Sequence, residues 1–386
     1  MLDLKLVAEK PEDVGVDSEA LDALFARAQR DVDDGTLPSA QVAVARNGKL
    51  AGLRTFGKAV QGGEERPATD ETLYTIYSST KAVVAVAIWQ LLEEGDLKLE
   101  ERVADIIPEF GTNGKDVVTV EQVLLHVAGF PQAPLGPKIW ADRNKRLEAF
   151  SYWRLMWEPE SKFEYHATSA HWVLVEIIER RRGCDFRDAL REHVIDPMGL
   201  TELFVGLPKD LNDRVADVCH MGEMVEPPGG YGEVTPQAIL NFNAPENRPV
   251  GVPGGGGVAS AAELAMFYQT LINGGESPTG NRILKPETIK FATKVRTAHH
   301  TDLMGTPVLR GLSIVIAGDD GKANLRGFGR VASPRTFGHG GAGGQLAWGD
   351  PESGISLGYC TNGFADWRTI GRRTTAISSL AARCAQ

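Results

Sequence analysis

Two residues three apart, Ser78 and Lys81, are the first pair in this chain whose types and spacing could do chemistry. A serine hydroxyl is a poor nucleophile until a neighbour takes its proton. A lysine can take it only if its own affinity for protons is lowered, and burial lowers it because desolvation disfavours the ammonium form. Lys81 belongs to the stretch Tyr77-Ser78-Ser79-Thr80-Lys81, and the residues from Ala82 to Leu92 that follow carry no charge until Glu93-Glu94. The chemistry implied is nucleophilic attack through an acylated serine. The plainer alternative is a Ser78 or Ser79 cap with Lys81 as a surface charge. S-x-x-K alone arises easily by chance in a chain of average composition.

The element that positions the pair is the apolar run. A segment apolar on every face belongs in a core, and a run of about fourteen residues is too short to span a bilayer. Its length and its stop at Gly95-Asp96 favour a helix over a buried strand. On that helix Ser78 and Lys81 share a face. Ser78 falls at the N-terminus, where unpaired N–H groups and the dipole favour negative charge.

Upstream, Asp17-Ser18 caps a helix with Leu21, Leu24, Phe25, Ala28 and Val32 at helical spacing. Residues 41–46 and 49–56 read as strands joined by Asn47-Gly48, a type I′ turn signal. Residues 58–72 read as a polar loop. Downstream, helices are expected from Thr119 to Gly129, from His171 to Arg182, over 184–207, from Ala261 to Asn273 and from Pro286 to Lys294. Residues 208–257 form a long Pro/Gly-rich stretch. The last third turns to strands again, over 311–316, 344–349 and 355–361, before a closing helix from Trp367 to Cys384. Too few strands lie at either end to make a stable sheet alone. The expected fold is therefore α/β of the α+β type: one antiparallel sheet built from both chain ends, flanked by helices, with an all-helical insert. The corresponding domains are residues 1–76 with 258–386, and residues 77–257, with the active site between them.

The chain has 386 residues, 42% hydrophobic and 24% charged, enough for a large core. Its net charge of −10, without any basic cluster, speaks against nucleic acid and against anionic membrane surfaces. Met1-Leu2-Asp3-Leu4-Lys5-Leu6 has neither a basic n-region nor an apolar h-region, so no secretory leader is expected. Cys184, Cys219, Cys360 and Cys384 are scattered and read as cytosolic thiols. The histidines form no H-E-x-x-H, and adjacent His299-His300 would not share a helix face, so no metal site is expected.

Three further candidates are weighed and set aside. Gly354-Ile355-Ser356-Leu357-Gly358 matches G-x-S-x-G, but that motif needs a strand-to-helix turn, and Ser356 sits inside an alternating strand. Residues 254–257 are all glycine, a flexible run with no Gly-Lys-Ser/Thr after it, so it is not a phosphate loop. His126 reads as a structural group near a helix end.

Read together, Ser78-Ser79-Thr80-Lys81, Tyr165 after Phe163-Glu164, and His339-Gly340-Gly341 resemble the three motifs of the serine β-lactamase and penicillin-binding protein superfamily. Residues 118–131, Asp196-Pro197-Met198-Gly199-Leu200 and Leu271-Ile272-Asn273-Gly274-Gly275 fit the same pattern, so the likeness covers roughly 15–380. It is nearest to class C β-lactamases, family VIII carboxylesterases and D-stereospecific peptidases. The resemblance implies that Ser78 is acylated and Lys81 accepts its proton. Tyr165 would be the second acid or base, His339 with Gly340 and Gly341 would bind substrate, and the Ser78 and Ala342 N–H groups would form the oxyanion hole. Two departures bear on substrate. Ala167 stands where β-lactamases carry an amide-binding asparagine, with His166, Thr168 or His171 as candidates to compensate. His339 replaces a lysine and is charged only part of the time near its reference pKa.

The expectation is a cytoplasmic serine hydrolase of short-chain carboxylic esters acting through an acyl-enzyme, without cofactor, on a small-molecule ester or amide. The alternatives are an amidase, D-peptidase or weak β-lactamase of the same superfamily, and a catalytically idle relative that only binds a ligand.

Overall fold

The computed structural model describes residues 4–385. Met1-Leu2-Asp3, the first half of the stretch that lacks leader features, lies outside the described residues, as does Gln386. Helix α1 (Ser18–Asp33) starts at Asp17, whose carboxylate accepts from the Ala20 N–H at 2.8 Å. Strands β1 (Ser39–Arg46) and β2 (Lys49–Gln61) turn at Asn47-Gly48, where φ is 52° and 75°, the mirror-image turn that suits a twisted hairpin. β2 runs past Phe56 and folds back at Gly62-Gly63 into β3 (Glu64–Pro67), so most of the expected loop is a hairpin. Its side chains are polar because β3 is a sheet edge facing water.

Helix α2 (Thr80–Glu94) is buried from Thr80 to Leu91 and ends at Gly95 with φ 83°. Its all-round apolarity is satisfied by elements on every side. The helix expected from Thr119 starts there, capped reciprocally with Gln122, but stops at Leu124, short of Gly129. His126 then takes φ 60°, which no helix continues. Helix α3 (Ser169–Arg182) ends at Gly183. Residues 184–207 are helical only over 186–195; Leu203–Val205 is a strand instead. It joins a second sheet with Gly257–Ala259, Leu73–Thr75 and Val215–Ala216. An apolar triplet bounded by Gly199 and Gly206 has room for a short strand but not for further helix.

Helix α4 (Ala261–Ile272) precedes the remaining strands of the main sheet, β4 (Arg310–Gly311), β5 (Ile314–Ile316), β6 (Phe337–Gly338), β7 (Leu346–Gly349) and β8 (Ile355–Thr361). The expected single strand over 311–316 is a tight hairpin because Ser313 adopts φ 57°. β8 pairs antiparallel with β1 from Ala40–Thr361 to Arg46–Ile355. The eight strands lie in the order β3-β2-β1-β8-β7-β6-β5-β4, one antiparallel sheet from both chain ends. The alternation of β1 separates two cores. Ala43 and Ala45 face the core that holds α2 and α4, whereas Val42 and Val44 face α1 and the closing helix α5 (Trp367–Ala382). No helix among the described residues is long and apolar enough to cross a membrane.

Candidate active site

Ser78 lies in a 3-10 turn, Tyr77–Ser79, that leads into α2. Tyr77 sits at φ 45°, a conformation that persists only where the surroundings hold it. They do: its ring meets Phe242 and Phe364 edge-on, and its hydroxyl donates to the Ile239 carbonyl at 3.3 Å. Ser78 opens onto a cavity of about 440 Å³ that Tyr165, Arg310, His339, Gly340 and Ala342 also line.

Lys81 is completely buried, one turn into α2. Its Nζ donates to the Ala167 carbonyl at 2.6 Å and the Gly254 carbonyl at 2.5 Å, and lies 3.2 Å from Ser78 Oγ. A neutral amine has two N–H groups and one lone pair. The ammonium form donates to both carbonyls and to Ser78 Oγ; once it loses a proton, the two carbonyls hold the remaining N–H groups and the lone pair is directed at the Ser78 hydroxyl. Burial lowers the proton affinity of Lys81 and Arg310 adds to the effect, while Tyr165 and Glu233 oppose it. The pair therefore has the geometry and the environment of a nucleophile and its base.

Tyr165 presents its ring to two cations. Lys81 Nζ and Arg310 Cζ each lie 5.0 Å from the ring centroid. Its buried hydroxyl is near enough to Lys81 to favour the ammonium form, and Tyr165 lines the Ser78 cavity. His339 is 5% exposed, and its Nδ1 lies 2.8 Å from the Gly340 carbonyl. A carbonyl only accepts, so the proton is on Nδ1 and Nε2 offers a lone pair. Burial, with Arg310 and Lys81 nearby, holds this ring well below the ordinary histidine range. His339 is thus neutral, not part-charged as its reference value implies. Gly341 donates to the Gln345 carbonyl at 2.9 Å. Ser78 and Ala342 each fall in the first turn of a 3-10 segment, where N–H groups have no acceptor within the helix.

The structure takes His166 out of the substrate site. Its Nδ1 lies 2.7 Å from the Glu164 carbonyl, and its Nε2 accepts from the Phe130 N–H at 3.1 Å. Both nitrogens are used by backbone, and burial pushes the ring down to about 4. His126 accepts from the His166 N–H through Nδ1 at 3.2 Å and packs 4.7 Å from the Tyr165 ring, a supporting role. His171 is buried with neither ring nitrogen hydrogen-bonded. Thr168 instead makes two hydrogen bonds to Glu233.

Three residues of the site escaped the sequence reading. Gly254, which belongs to the glycine run expected to be flexible, is buried and holds Lys81; a Cβ there would lie 2.7 Å from the Ala167 oxygen. Four consecutive glycines were the available signal. Arg310 and Glu233 carried none, since each lies far from the motifs in sequence. Ser356 is confirmed as a strand residue: buried, it accepts from Gln269 Nε2 at 2.9 Å and donates to the Ala265 carbonyl at 2.8 Å. Glu160, His299 and His300 bring one ligand atom each within 4.8 Å of one another, because a loop and not a helix carries the adjacent histidines. None of them lines the Ser78 cavity. A larger cavity, about 530 Å³, lies between α1 and β2 and holds none of the motif residues.

The Beta-lactamase family model matches residues 22–381. The chain is 29% identical over 320 residues to the esterase/beta-lactamase LipL of Mycobacterium tuberculosis (strain ATCC 25618 / H37Rv), covering 77% of this chain and 70% of that protein. A penicillin-binding protein homologue from Caulobacter crescentus superposes with a TM-score of 0.81 at 29% identity, over 96% of this chain and 99% of the other. A family VIII carboxylesterase does so with a TM-score of 0.78 at 25% identity, over 96% and 99%.

Proposed function

The chain belongs to the Beta-lactamase family, and from that premise we propose that it is a serine hydrolase of short-chain carboxylic esters. The observation that carries this reading is the placement of Lys81 Nζ, held by two carbonyls and 3.2 Å from Ser78 Oγ. Ser78 attacks the ester carbonyl and its proton passes to Lys81. The Ser78 and Ala342 N–H groups receive the charge that develops on the carbonyl oxygen. Tyr165 gives its proton to the departing alkoxide, leaving an acyl-enzyme. It then takes a proton from water, which attacks the acyl carbonyl; the acid departs, and Lys81 returns its proton to the Ser78 oxygen. The protein's own groups suffice for each proton transfer in this scheme.

Ester selectivity is supported by the residues at two motif positions. Neutral His339 has no charge to hold a β-lactam carboxylate, and Ala167 has no side-chain amide. One observation favours a second reading, an amidase, D-peptidase or weak β-lactamase. The Arg310 guanidinium lines the cavity, and its Nη1 is buried without a partner, so a carboxylate-bearing substrate would find a cation there. A hydrolysis panel of nitrophenyl esters, a chromogenic cephalosporin and D-amino-acid amides decides between them. Activity confined to the amides or the cephalosporin would reject the ester reading. The four cysteines are unpaired, which supports the proposed cytoplasmic location.

A further inference from the structure

Glu233 belongs to the Pro/Gly-rich stretch that no motif explains. Its carboxylate accepts from the Thr168 backbone N–H at 2.9 Å and from Thr168 Oγ1 at 2.9 Å. That N–H belongs to the same peptide group as the Ala167 carbonyl, which accepts from Lys81 Nζ at 2.6 Å. One amide plane therefore stands between a carboxylate on its N–H side and the buried lysine on its C=O side. We propose that Glu233 is a positioning residue for catalysis: through the Ala167–Thr168 peptide it aims the Ala167 carbonyl at Lys81 and sets how readily Lys81 holds its proton. The proposal rests on the Ser78–Lys81 reading above and adds a residue to it.

The physical argument has two parts. A carboxylate on the N–H of an amide polarises the group and strengthens its carbonyl as an acceptor, and hydrogen bonds in such chains reinforce one another. The negative charge also acts on Lys81 directly across a poorly solvated interior. Both effects favour the ammonium form, so Glu233 counters the desolvation that drives Lys81 neutral. The groups facing Lys81 are Ser78 in the turn before its helix, the Tyr165 ring, Arg310, Glu233, and the neutral rings of His126, His171 and His339. Among them Glu233 is the one carboxylate. Burial raises its own affinity for protons, and the Thr168 bonds and Lys81 pull it back.

The test is the pH dependence of kcat/KM for p-nitrophenyl acetate with the full chain. A base must be neutral to act, so activity rises with pH through the Lys81 titration. Glu233→Gln keeps an acceptor for Thr168 but removes the charge, and should move this acid limb down by roughly half a unit to one unit. Glu233→Asp, with a carboxylate drawn back by one methylene, should place the limb between parent and Glu233→Gln. Thr168→Val keeps the backbone N–H bond but removes the Oγ1 bond that favours the Glu233 carboxylate, so its limb should fall no further than that of Glu233→Gln. A limb that stays put or moves upward in Glu233→Gln overturns the proposal. If Glu233→Gln does not fold, Glu233→Asp decides: coincidence with the parent overturns the proposal. Retained turnover in Lys81→Ala would instead reject the Ser78–Lys81 reading, whatever Glu233 does.

Discussion

Ser79 Oγ donates a 2.8 Å hydrogen bond to the His339 carbonyl, joining the turn that carries Ser78 to the strand end that carries Gly340, Gly341 and Ala342. The two segments meet backbone against backbone. A Cβ on Gly341 would lie 2.3 Å from the Ile76 oxygen, closer than any side chain tolerates. The spacing between the nucleophile and the proposed oxyanion donors is set by these two contacts.

Removing the first contact tests that statement. Ser79→Ala leaves a buried carbonyl unpaired, a loss of about 1–3 kcal/mol. We expect kcat/KM for a nitrophenyl ester to fall at least about tenfold, on the scale of 1.4 kcal/mol per decade. Gly341→Ala should cost more, because backbone must move. Parent-like rates in both, with parent-like far-UV circular dichroism, would show that this spacing is not critical.

The two serine candidates should separate cleanly. Ser78→Ala is expected to abolish turnover and leave the thermal midpoint near that of the parent. Ser356→Ala removes a buried hydroxyl that bonds Gln269 and Ala265, so it should lower stability by about 1–3 kcal/mol while kcat stays close to the parent value. The reverse pattern, read from rates and melting curves of the two variants, would move the active site to Ser356.

Lys81 should act as a base whose protonation limits the rate at low pH. Burial lowers its proton affinity from the ordinary 10.5, so kcat/KM should rise with pH along a limb centred below that value. His339 should contribute no inflection near neutrality, because it is held neutral throughout that range. Lys81→Arg should be inactive at every pH, since a guanidinium does not give up its proton. Activity in Lys81→Arg would remove Lys81 from the proton path.

Esters should be turned over better than cephalosporins by at least about two orders of magnitude in kcat/KM. Two polar holds on a β-lactam are missing, at about 1–3 kcal/mol each. Ala167→Asn alone should not restore β-lactam hydrolysis. The space beside residue 167 is already organised by Thr168 and Glu233, and Lys81 is held by backbone. Efficient cephalosporin turnover by the parent protein would instead assign Arg310 the role of carboxylate anchor.

Stability should fall as pH rises through the Glu263 titration. Burial pushes this carboxyl from 4.5 up to about 7. The folded state therefore binds the proton more tightly than the unfolded state does. Its contribution is present below pH 4.5 and is lost progressively as pH rises to about 7. Glu263→Gln should flatten that dependence, and it should raise the thermal midpoint at pH 8. A parent and variant with parallel stability curves between pH 4 and 8 would contradict this sign.

Local rules made several parts of this protein legible in its sequence. The apolar run after Lys81 favours a buried helix over a buried strand, and Gly95 marks its end, because both are properties of a few adjacent residues. Asn47-Gly48 determined a hairpin in the same way. The scarcity of strands at each chain end already required the sheet to close across the whole chain. Residue type and spacing singled out Ser78 and Lys81, and the resemblance to the serine β-lactamase and penicillin-binding protein superfamily added Tyr165 and His339. The tertiary structure decided what depends on residues far apart. Arg310 reaches Tyr165, and Glu233 reaches Thr168, only after the chain has folded. His166 and Thr168, two residues apart in sequence, could not be told apart until their partners were in place: backbone groups claim one and a distant carboxylate the other. The charge state of His339 belongs to the same class, since desolvation and two remote cations outweigh the intrinsic proton affinity of imidazole.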